Sequence, residues 1–238
     1  MRTGLGLYVP HTTADWTPLD LTSLVGWWDA SDTATITSSG GAVSQWDDKS
    51  GNGNHLVQAT SALQPTTGTR TINSLNAIDF IPTDDRMACT TVPNDDLTST
   101  TFGVVLFDSV ADHRTIVGSS GSGGQHIYAL QTTARLAVAK EDLQAIGDNA
   151  TTPFTAGVAA LFTVAMSASN LLTRVNGGSE ENDAHTETFT AGRTLVVGNG
   201  VGNYEMDGLI AELFRTSATE NGTTIGDAEA YLAAKWGL

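Results

Sequence analysis

A chain of 238 residues, 40% hydrophobic and only 16% charged, has the length of one large β domain and the wrong composition for a disordered chain. Its net charge of −15 disfavours nucleic acid and anionic membrane surfaces as partners, because phosphate binding requires clustered Lys and Arg. Cys89 is the only cysteine, which excludes an intrachain disulfide and a thiolate metal cluster. No apolar run approaches the roughly 20 residues that span a bilayer, so we expect no membrane insertion.

Residues 1–22 are predicted to form an extended arm ahead of a domain over residues 23–238. Pro10 and Pro18 interrupt this segment, and Tyr8 and Trp16 are its isolated aromatic residues. The apolar run of residues 5–9 is shorter than the signal-peptide core of about 7–15 residues, so we expect no usual secretory signal. We predict that Tyr8 and Trp16 anchor the arm to a partner.

The hydrophobic block of residues 24–32 contains two adjacent tryptophans, Trp27 and Trp28. Successive side chains of a strand point to opposite faces, so the two rings cannot enter the same core. We expect one ring to fill a sandwich and the other to pack against the arm or against a C-terminal helix around Trp236.

The following block, residues 46–55, is polar and rich in Gly and Asn. It combines an aromatic ring with carboxylate, amide and imidazole groups, which is the set that binds sugars. The candidate glycan-binding residues are Trp46, Asp47, Asp48, Asn52, Asn54 and His55. In the alternative interpretation, Trp46 is a core residue and the polar groups cap a tight turn.

Calcium is a possible cofactor of the same block, with Asp47 and Asp48 as candidate ligands, because Ca²⁺ prefers oxygen ligands. The spacing is not that of an EF-hand. A second acidic pair of loops, Asp84-Asp85 with Asp95-Asp96, has the same ambiguity. No His-x-His or His-x-x-x-His spacing occurs, which makes zinc improbable.

Short β-type runs separated by turn residues occupy most of the remaining chain. Asn176-Gly177 predicts a hairpin turn, because both residues tolerate positive φ. Residues 227–236 are good helix formers with acidic residues first and Lys235 last, so they predict one short helix that Gly237 ends. The predicted strands are 24–29, 77–80, 100–107, 115–118, 126–130, 136–139, 159–167, 170–175, 194–198 and 207–215. This order predicts an all-β antiparallel jelly-roll sandwich with a closing helix.

Several segments resemble the concanavalin A-like, laminin-G-type jelly-roll superfamily. They are the run 170–178 with its Asn-Gly pair, the run 195–198 that ends in Gly, and the Asp-Gly-x-Ile-x-Glu segment from Asp207 to Glu212. The blocks 26–32, 46–53 and 229–237 resemble a version of the domain found in phage virion proteins and bacterial surface proteins. The resemblance covers residues 23–238 and is more specific for fold than for function.

Enzymatic activity is not expected. Retaining glycosidases place two carboxyl groups about 5–5.5 Å apart. Glu205 and Asp207 share a face by the two-residue period, but Glu212 has the opposite parity and lies about 17 Å along an extended strand. No Gly-x-Ser-x-Gly elbow is present for a serine nucleophile.

The resemblance therefore implies a non-enzymatic virion protein: a capsid decoration, head-fibre or tail component that is attached by its arm, with host glycans as a further expected contact. Its expected partners are other virion proteins and further copies of itself, and its expected location is the virion. The alternative is a carbohydrate-binding module of a cell-surface or secreted protein.

Overall fold

The fold is known from a computed structural model, which describes residues 16–131, 133–140, 144–147, 152–178, 181–199 and 204–238. Antiparallel strands are the main regular structure of these residues, and one α-helix closes the chain. The strands are β1 Leu24–Asp29, β2 Ile36–Ser39, β3 Ala42–Trp46, β4 Leu56–Val57, β5 Thr71–Ile72, β6 Leu75–Asn76, β7 Ile78–Phe80, β8 Met87–Pro93, β9 Ser99–Phe107, β10 Arg114–Ser119, β11 Gln125–Ala129, β12 Leu136–Lys140, β13 Gln144–Gly147, β14 Ala159–Met166, β15 Asn170–Val175, β16 Glu181–Ala184, β17 Thr194–Val197 and β18 Gly208–Thr216. The helices are α1 Gly222–Trp236 and three short 3₁₀ turns at Pro18–Asp20, Thr33–Thr35 and Ser61–Leu63.

Two large sheets form a sandwich. One sheet has the strand order β1-β18-β9-β14-β15-β16, with β7 also paired to β18, and the other has the order β13-β12-β11-β10-β17-β8-β4-β3-β2. Strands that are distant in sequence are neighbours in both sheets, as in a jelly roll. The predicted antiparallel all-β sandwich is therefore confirmed.

Two apolar layers hold the molecule together. The first lies between the sheets and contains Trp28, Trp46, Phe80 and Phe162. The second lies on the outer face of the seven-stranded sheet, under α1, and contains Trp27, Phe214 and Trp236. Trp27 and Trp28 thus enter different layers, as the alternation of side chains in a strand requires.

The closing helix begins five residues earlier than its composition predicted. Asn221 is the N-cap, and its side chain accepts hydrogen bonds from the backbone N–H groups of Thr223 and Thr224. This capping offsets the poor helix propensity of the Gly-Thr-Thr segment that follows. Gly237 ends the helix in the left-handed conformation, with φ 72°, as predicted. In the described part of the chain, no helix is long and apolar enough to cross a membrane.

Trp16 is part of the domain rather than of a free arm. Its side chain is only 7% exposed, and its ring centroid lies 5.5 Å from that of Tyr231 and 6.4 Å from that of Phe214. Because its own domain buries it, the prediction that Trp16 anchors a partner is wrong. The other predicted anchor, Tyr8, lies outside the described residues.

Candidate functional site

Trp46 does not offer a sugar-stacking face. It ends β3, pairs with Leu56 of β4 and is fully buried between the sheets. The register of β3 with β2 shifts between Val43 and Gln45. For this reason Val43 and Trp46, three residues apart, both point into the core between the sheets. The prediction that Trp46 binds a glycan is therefore wrong, and the alternative, that Trp46 is a core residue, is the arrangement observed.

Asp48 organises the loop after Trp46. Its carboxylate accepts hydrogen bonds from the backbone N–H groups of Trp27 (2.9 Å), Ser50 (2.8 Å) and Asn54 (2.9 Å), and from the Ser50 hydroxyl (2.7 Å). These donors stabilise the negative charge without a cation. In the described residues no group of three or more acidic, His or Cys side chains could hold a metal ion. The donors around Asp48 also occupy the oxygens that a calcium ion would need.

The two asparagines of the loop hold the edge strand β1. Asn52 donates to the carbonyl of Leu24 (2.9 Å) and Asn54 donates to that of Val25 (2.8 Å). In return, the Trp28 indole donates to the backbone carbonyl of Asn54 (3.0 Å). The loop therefore satisfies backbone groups that a sheet edge would otherwise leave to solvent.

Besides the exposed Asn52, which holds β1, the members of the predicted site that remain at the surface are Asp47 and His55. Their side chains are 36% and 42% exposed, and His55 Nδ1 lies 3.1 Å from Asp47 Oδ1. A contact of this pair with a glycan stays a prediction. Without Trp46, the pair lacks an aromatic surface beside it.

A buried polar network joins β1, β18 and α1. Glu212 is fully buried; its Oε1 accepts from the Trp27 indole (2.7 Å) and the Tyr231 hydroxyl (2.9 Å). Its Oε2 accepts from the Trp236 indole (2.7 Å) and from Lys235 Nζ (2.8 Å). Burial of a carboxylate costs free energy unless it is paired and hydrogen-bonded, and here both conditions are met.

Lys235 extends this network to Asp29, whose Oδ1 lies 2.8 Å from Lys235 Nζ and whose Oδ2 lies 2.9 Å from Lys49 Nζ. Burial by itself would raise the pKa of Asp29. The Lys235 ammonium opposes burial, with help from the Ser31 and Lys49 hydrogen bonds, and the pKa of Asp29 lies below its ordinary value. Because four donors and a helix enclose Glu212, this network is a joint between elements rather than an open site.

The three carboxylates considered for glycosidase chemistry are not brought together. The register of β18 with β9 shifts between Ile210 and Glu212. This irregularity turns the Glu212 side chain to the face of the sheet that α1 covers, where Trp236 donates to it. Asp207 lies at the other end of the strand and pairs with Arg114 at 3.3 Å. The shift changes the face of Glu212, while its separation of five positions from Asp207 along the chain remains.

Among the described Phe, Trp and Tyr residues, Phe189, Tyr204 and Tyr231 are the ones that are not buried. Phe189 packs against the inter-sheet core, and Tyr231 is engaged by Trp16 and Glu212. Tyr204 is therefore the aromatic side chain best placed for a ligand.

Tyr204 forms an aromatic cluster with His113, which precedes β10, and Tyr128 of β11. The His113 ring stands edge-on to Tyr204 at 4.9 Å and to the buried Tyr128 at 5.6 Å. The backbone N–H of Thr115 donates to the Tyr204 carbonyl (3.1 Å), which fixes the loop beside β10. Burial lowers the pKa of His113, against the smaller opposite effect of Asp112.

Charged side chains continue from this cluster around the end of the sandwich. Arg114 pairs with Asp207, and the Asp108 N–H donates to the Asp207 carbonyl (2.8 Å). Arg70 then joins Asp108 to Asp79, with closest contacts of 2.6 and 3.0 Å. We call His113, Arg114, Tyr204 and Asp207 the rim site, and Arg70, Asp79 and Asp108 its acidic extension.

Gly208 makes the close crossing possible. Its φ of 135° favours glycine, and a Cβ at this position would lie 2.0 Å from the Leu106 carbonyl oxygen. Any side chain would push β18 away from β9 just where Asp207 enters the rim site. The sequence contains the signal for this turn, the Asp207-Gly208 pair, but gives no indication that His113 lies beside it.

Two shallow cavities lie away from the rim site. One, of about 340 Å³, is lined by small polar residues that include Thr33, Ser38, Thr67 and Asn76. The other, of about 350 Å³, lies between β15 and α1 beside the Arg174–Glu229 ion pair. Neither cavity has an exposed aromatic ring in its lining.

The fold and the rim define the class of this protein as a two-sheet jelly-roll sandwich with a capping helix. No protein-family model matches the sequence, and no curated protein matches it. Solved structures do share the fold.

Domain 4 of an extracellular arabinanase from Geobacillus stearothermophilus, solved with arabinotriose, matches with a TM-score of 0.64 and 11% identity over 86% of this chain and 97% of that one. An arabinofuranosidase complexed with arabinofuranosyl-alpha-1,2-xylobiose matches with a TM-score of 0.57 and 16% identity, over 90% of this chain and 59% of that one. Trypanosoma rangeli sialidase with sialic acid matches with a TM-score of 0.62 and 12% identity, over 90% of this chain and 33% of that one.

At these identities the likeness concerns the fold. The chain spans 97% of the arabinanase domain but only 59% of the arabinofuranosidase and 33% of the sialidase. The prediction that the protein is not an enzyme is contradicted by these similar structures, because they are glycoside hydrolases or domains of them. The jelly-roll class is confirmed, whereas its phage version stays a prediction.

Proposed function

We propose that this protein binds carbohydrate through the rim site. The observation that carries the proposal is the half-buried Tyr204 ring, held edge-on by His113 and followed by the Arg114–Asp207 pair. The fold is shared with carbohydrate-active proteins whose solved structures contain sugars.

The chemistry of the rim suits a sugar. A pyranose or furanose ring has an apolar face of C–H groups and a periphery of hydroxyls. An aromatic ring takes the face, and carboxylate and guanidinium groups take the hydroxyls as acceptors and donors. The rim site supplies both kinds of group. Tyr204 and Asp207 come from one loop, and His113 and Arg114 come from the start of β10.

The test is a substitution of Tyr204. Tyr204→Ala should weaken binding of arabinotriose, or of whichever oligosaccharide an array identifies, by at least about tenfold, because a central aromatic contact contributes about 1.4 kcal/mol or more. Isothermal titration calorimetry measures the loss, and thermal unfolding should stay close to that of the parent protein since Tyr204 is not in the core.

Tyr204→Phe is the matched control. It keeps the stacking face and removes only the hydroxyl, so it should retain most of the affinity. Equal binding by the parent protein and Tyr204→Ala would contradict the proposal.

The virion role remains a separate prediction. It depends on residues 1–22, of which 1–15 lie outside the described residues, and on a resemblance that concerns the fold. Deletion of residues 1–15 tests it without removing the buried Trp16: the domain should stay folded and should no longer join its particle. Assembly that survives the deletion would contradict an anchoring arm.

A further inference from the structure

The cations of the rim are already held by carboxylates. Arg70 makes a two-pronged contact with Asp108, with both nitrogen–oxygen distances at 2.6 Å, and a further contact with Asp79 at 3.0 Å. Arg114 pairs with Asp207 at 3.3 Å and donates through Nε to the Ser109 carbonyl at 3.3 Å. Neither guanidinium is left for the carboxylate of a ligand.

Further negative charge surrounds the rim site. Asp112 is exposed, Glu205 is half-buried, and neither has a cationic partner among the contacts that the structure describes. A third cation, the half-buried Arg135, lies in the β11–β12 hairpin, whose Gln131 N–H donates to His113 Nδ1 (3.4 Å). Carboxylates outnumber guanidinium groups around the rim: Asp79, Asp108, Asp112, Glu205 and Asp207 face Arg70, Arg114 and Arg135.

We infer that the rim site selects neutral oligosaccharides and rejects acidic ones such as sialylated or uronic-acid glycans. This inference rests on the proposed function and names its ligand class. A neutral sugar needs acceptors for its hydroxyls, and the unpaired lone pairs of the rim carboxylates supply them. An acidic sugar would bring a further negative charge to a surface where carboxylates outnumber arginines and where Arg70 and Arg114 are already paired. Like charges brought together across an interface oppose binding.

The test compares two ligands of similar size, arabinotriose and a sialylated trisaccharide, by calorimetry at low salt. The expected result is Tyr204-dependent binding of the neutral ligand, with an affinity at least about tenfold higher than for the acidic one. Tyr204-dependent binding of the sialylated ligand with equal or higher affinity would overturn the inference and leave the proposed function intact. An array on which no glycan of either kind binds would overturn both.

Removing one rim carboxylate should change the selectivity. Asp207→Asn releases Arg114 from its ion pair, so a ligand carboxylate gains a charge-assisted partner. Affinity for the sialylated trisaccharide should rise by about tenfold, the size of one hydrogen bond to a charged group. An unchanged ratio of acidic to neutral binding in Asp207→Asn would overturn the assignment of Asp207 as a residue that excludes anions.

Glu187→Gln is the matched control. Glu187 lies 3.9 Å from Lys140, so the substitution removes the same charge and also frees a cation. Lys140 ends β12 opposite Gln125 of β11, whereas the other end of β12, Leu136, is level with Ala129 and thus with Arg114 of the rim site. The ratio of acidic to neutral binding should not change in this variant. A change as large as that in Asp207→Asn would show that the net charge of the protein, rather than the position of Asp207, causes the effect. Arg135→Gln adds a second check. If binding of the sialylated trisaccharide disappears in this variant, Arg135 binds the ligand carboxylate, and that result would oppose the inference.

Discussion

At the scale of single residues, the loop after β3 shows how polar side chains can resemble a ligand site and yet serve the backbone. Asp48 accepts from three backbone N–H groups, and Asn52 and Asn54 donate to carbonyls of β1. A carboxylate used in this way exchanges water for fixed donors and stabilises the loop rather than a ligand.

Trp46→Ala should destabilise the domain rather than abolish binding selectively. Truncation of a fully buried Trp leaves a cavity between the sheets and costs about 3–5 kcal/mol in free energy of unfolding. Urea denaturation measures the loss, and Tyr204→Ala provides the opposite case, with binding lost and stability kept.

Trp46→Phe should cost much less. In the described structure Trp46 Nε1 is buried without a hydrogen-bond partner, so the smaller ring also removes an unsatisfied donor. A Trp46→Ala variant as stable as the parent protein would contradict the core position.

At the scale of elements, α1 is fixed to the sandwich by charge as well as by apolar contact. Lys235, in its last turn, lies 2.8 Å from carboxylate oxygens of both Asp29 in β1 and Glu212 in β18. The favourable position of a cation near a helix C-terminus adds to these contacts.

Lys235→Met should lower the free energy of unfolding by about 3–5 kcal/mol, because it leaves the fully buried Glu212 carboxylate without a cation. Chemical denaturation at pH 7 measures the change. Lys140→Met is the control: Lys140 lies 3.9 Å from Glu187, its side chain is 29% exposed, and its loss should cost less than about 1 kcal/mol. A cost of similar size in both variants would mean that the joint does not depend on the buried pair.

At the scale of the whole molecule, a net charge of −15 makes stability depend on where each carboxylate lies. Asp29 has a pKa below its ordinary value, so its contribution is present above the unfolded pKa of 3.8 and is lost as the pH falls through the folded pKa. Asp79 and Asp85 behave oppositely, since burial raises their pKa values and their protonated forms favour the folded state.

The urea concentration at the midpoint of denaturation should therefore decrease as the pH is lowered below about 4, because Asp29 then loses its pairing with Lys235 and Lys49. In Asp29→Asn this part of the pH dependence should be smaller than in the parent protein, although the variant is less stable at pH 7. Asp85→Asn is the control, because its carboxyl contributes with the opposite sign. A parent and an Asp29→Asn variant with equal acid dependence would contradict the role of this pair.

What the sequence by itself determined is local. The alternation of side chains separated Trp27 from Trp28, the turn residues marked the strands, and the composition of the last residues marked α1 with its Gly237 stop. The extended start of that helix was missed because its N-cap hydrogen bonds, rather than its composition, stabilise the first turn.

What only the tertiary structure decided is which side chains meet. Trp46 became core because its strand pairs in one register with β4, whereas the sequence left open whether Trp46 is core or binds a ligand. The rim site combines Tyr204 with His113 and Asp207 with Arg114, and its acidic extension adds Arg70 and Asp108. These residues are separated by long stretches of chain, and they lie together because a jelly roll places distant strands side by side at the same end of a sandwich.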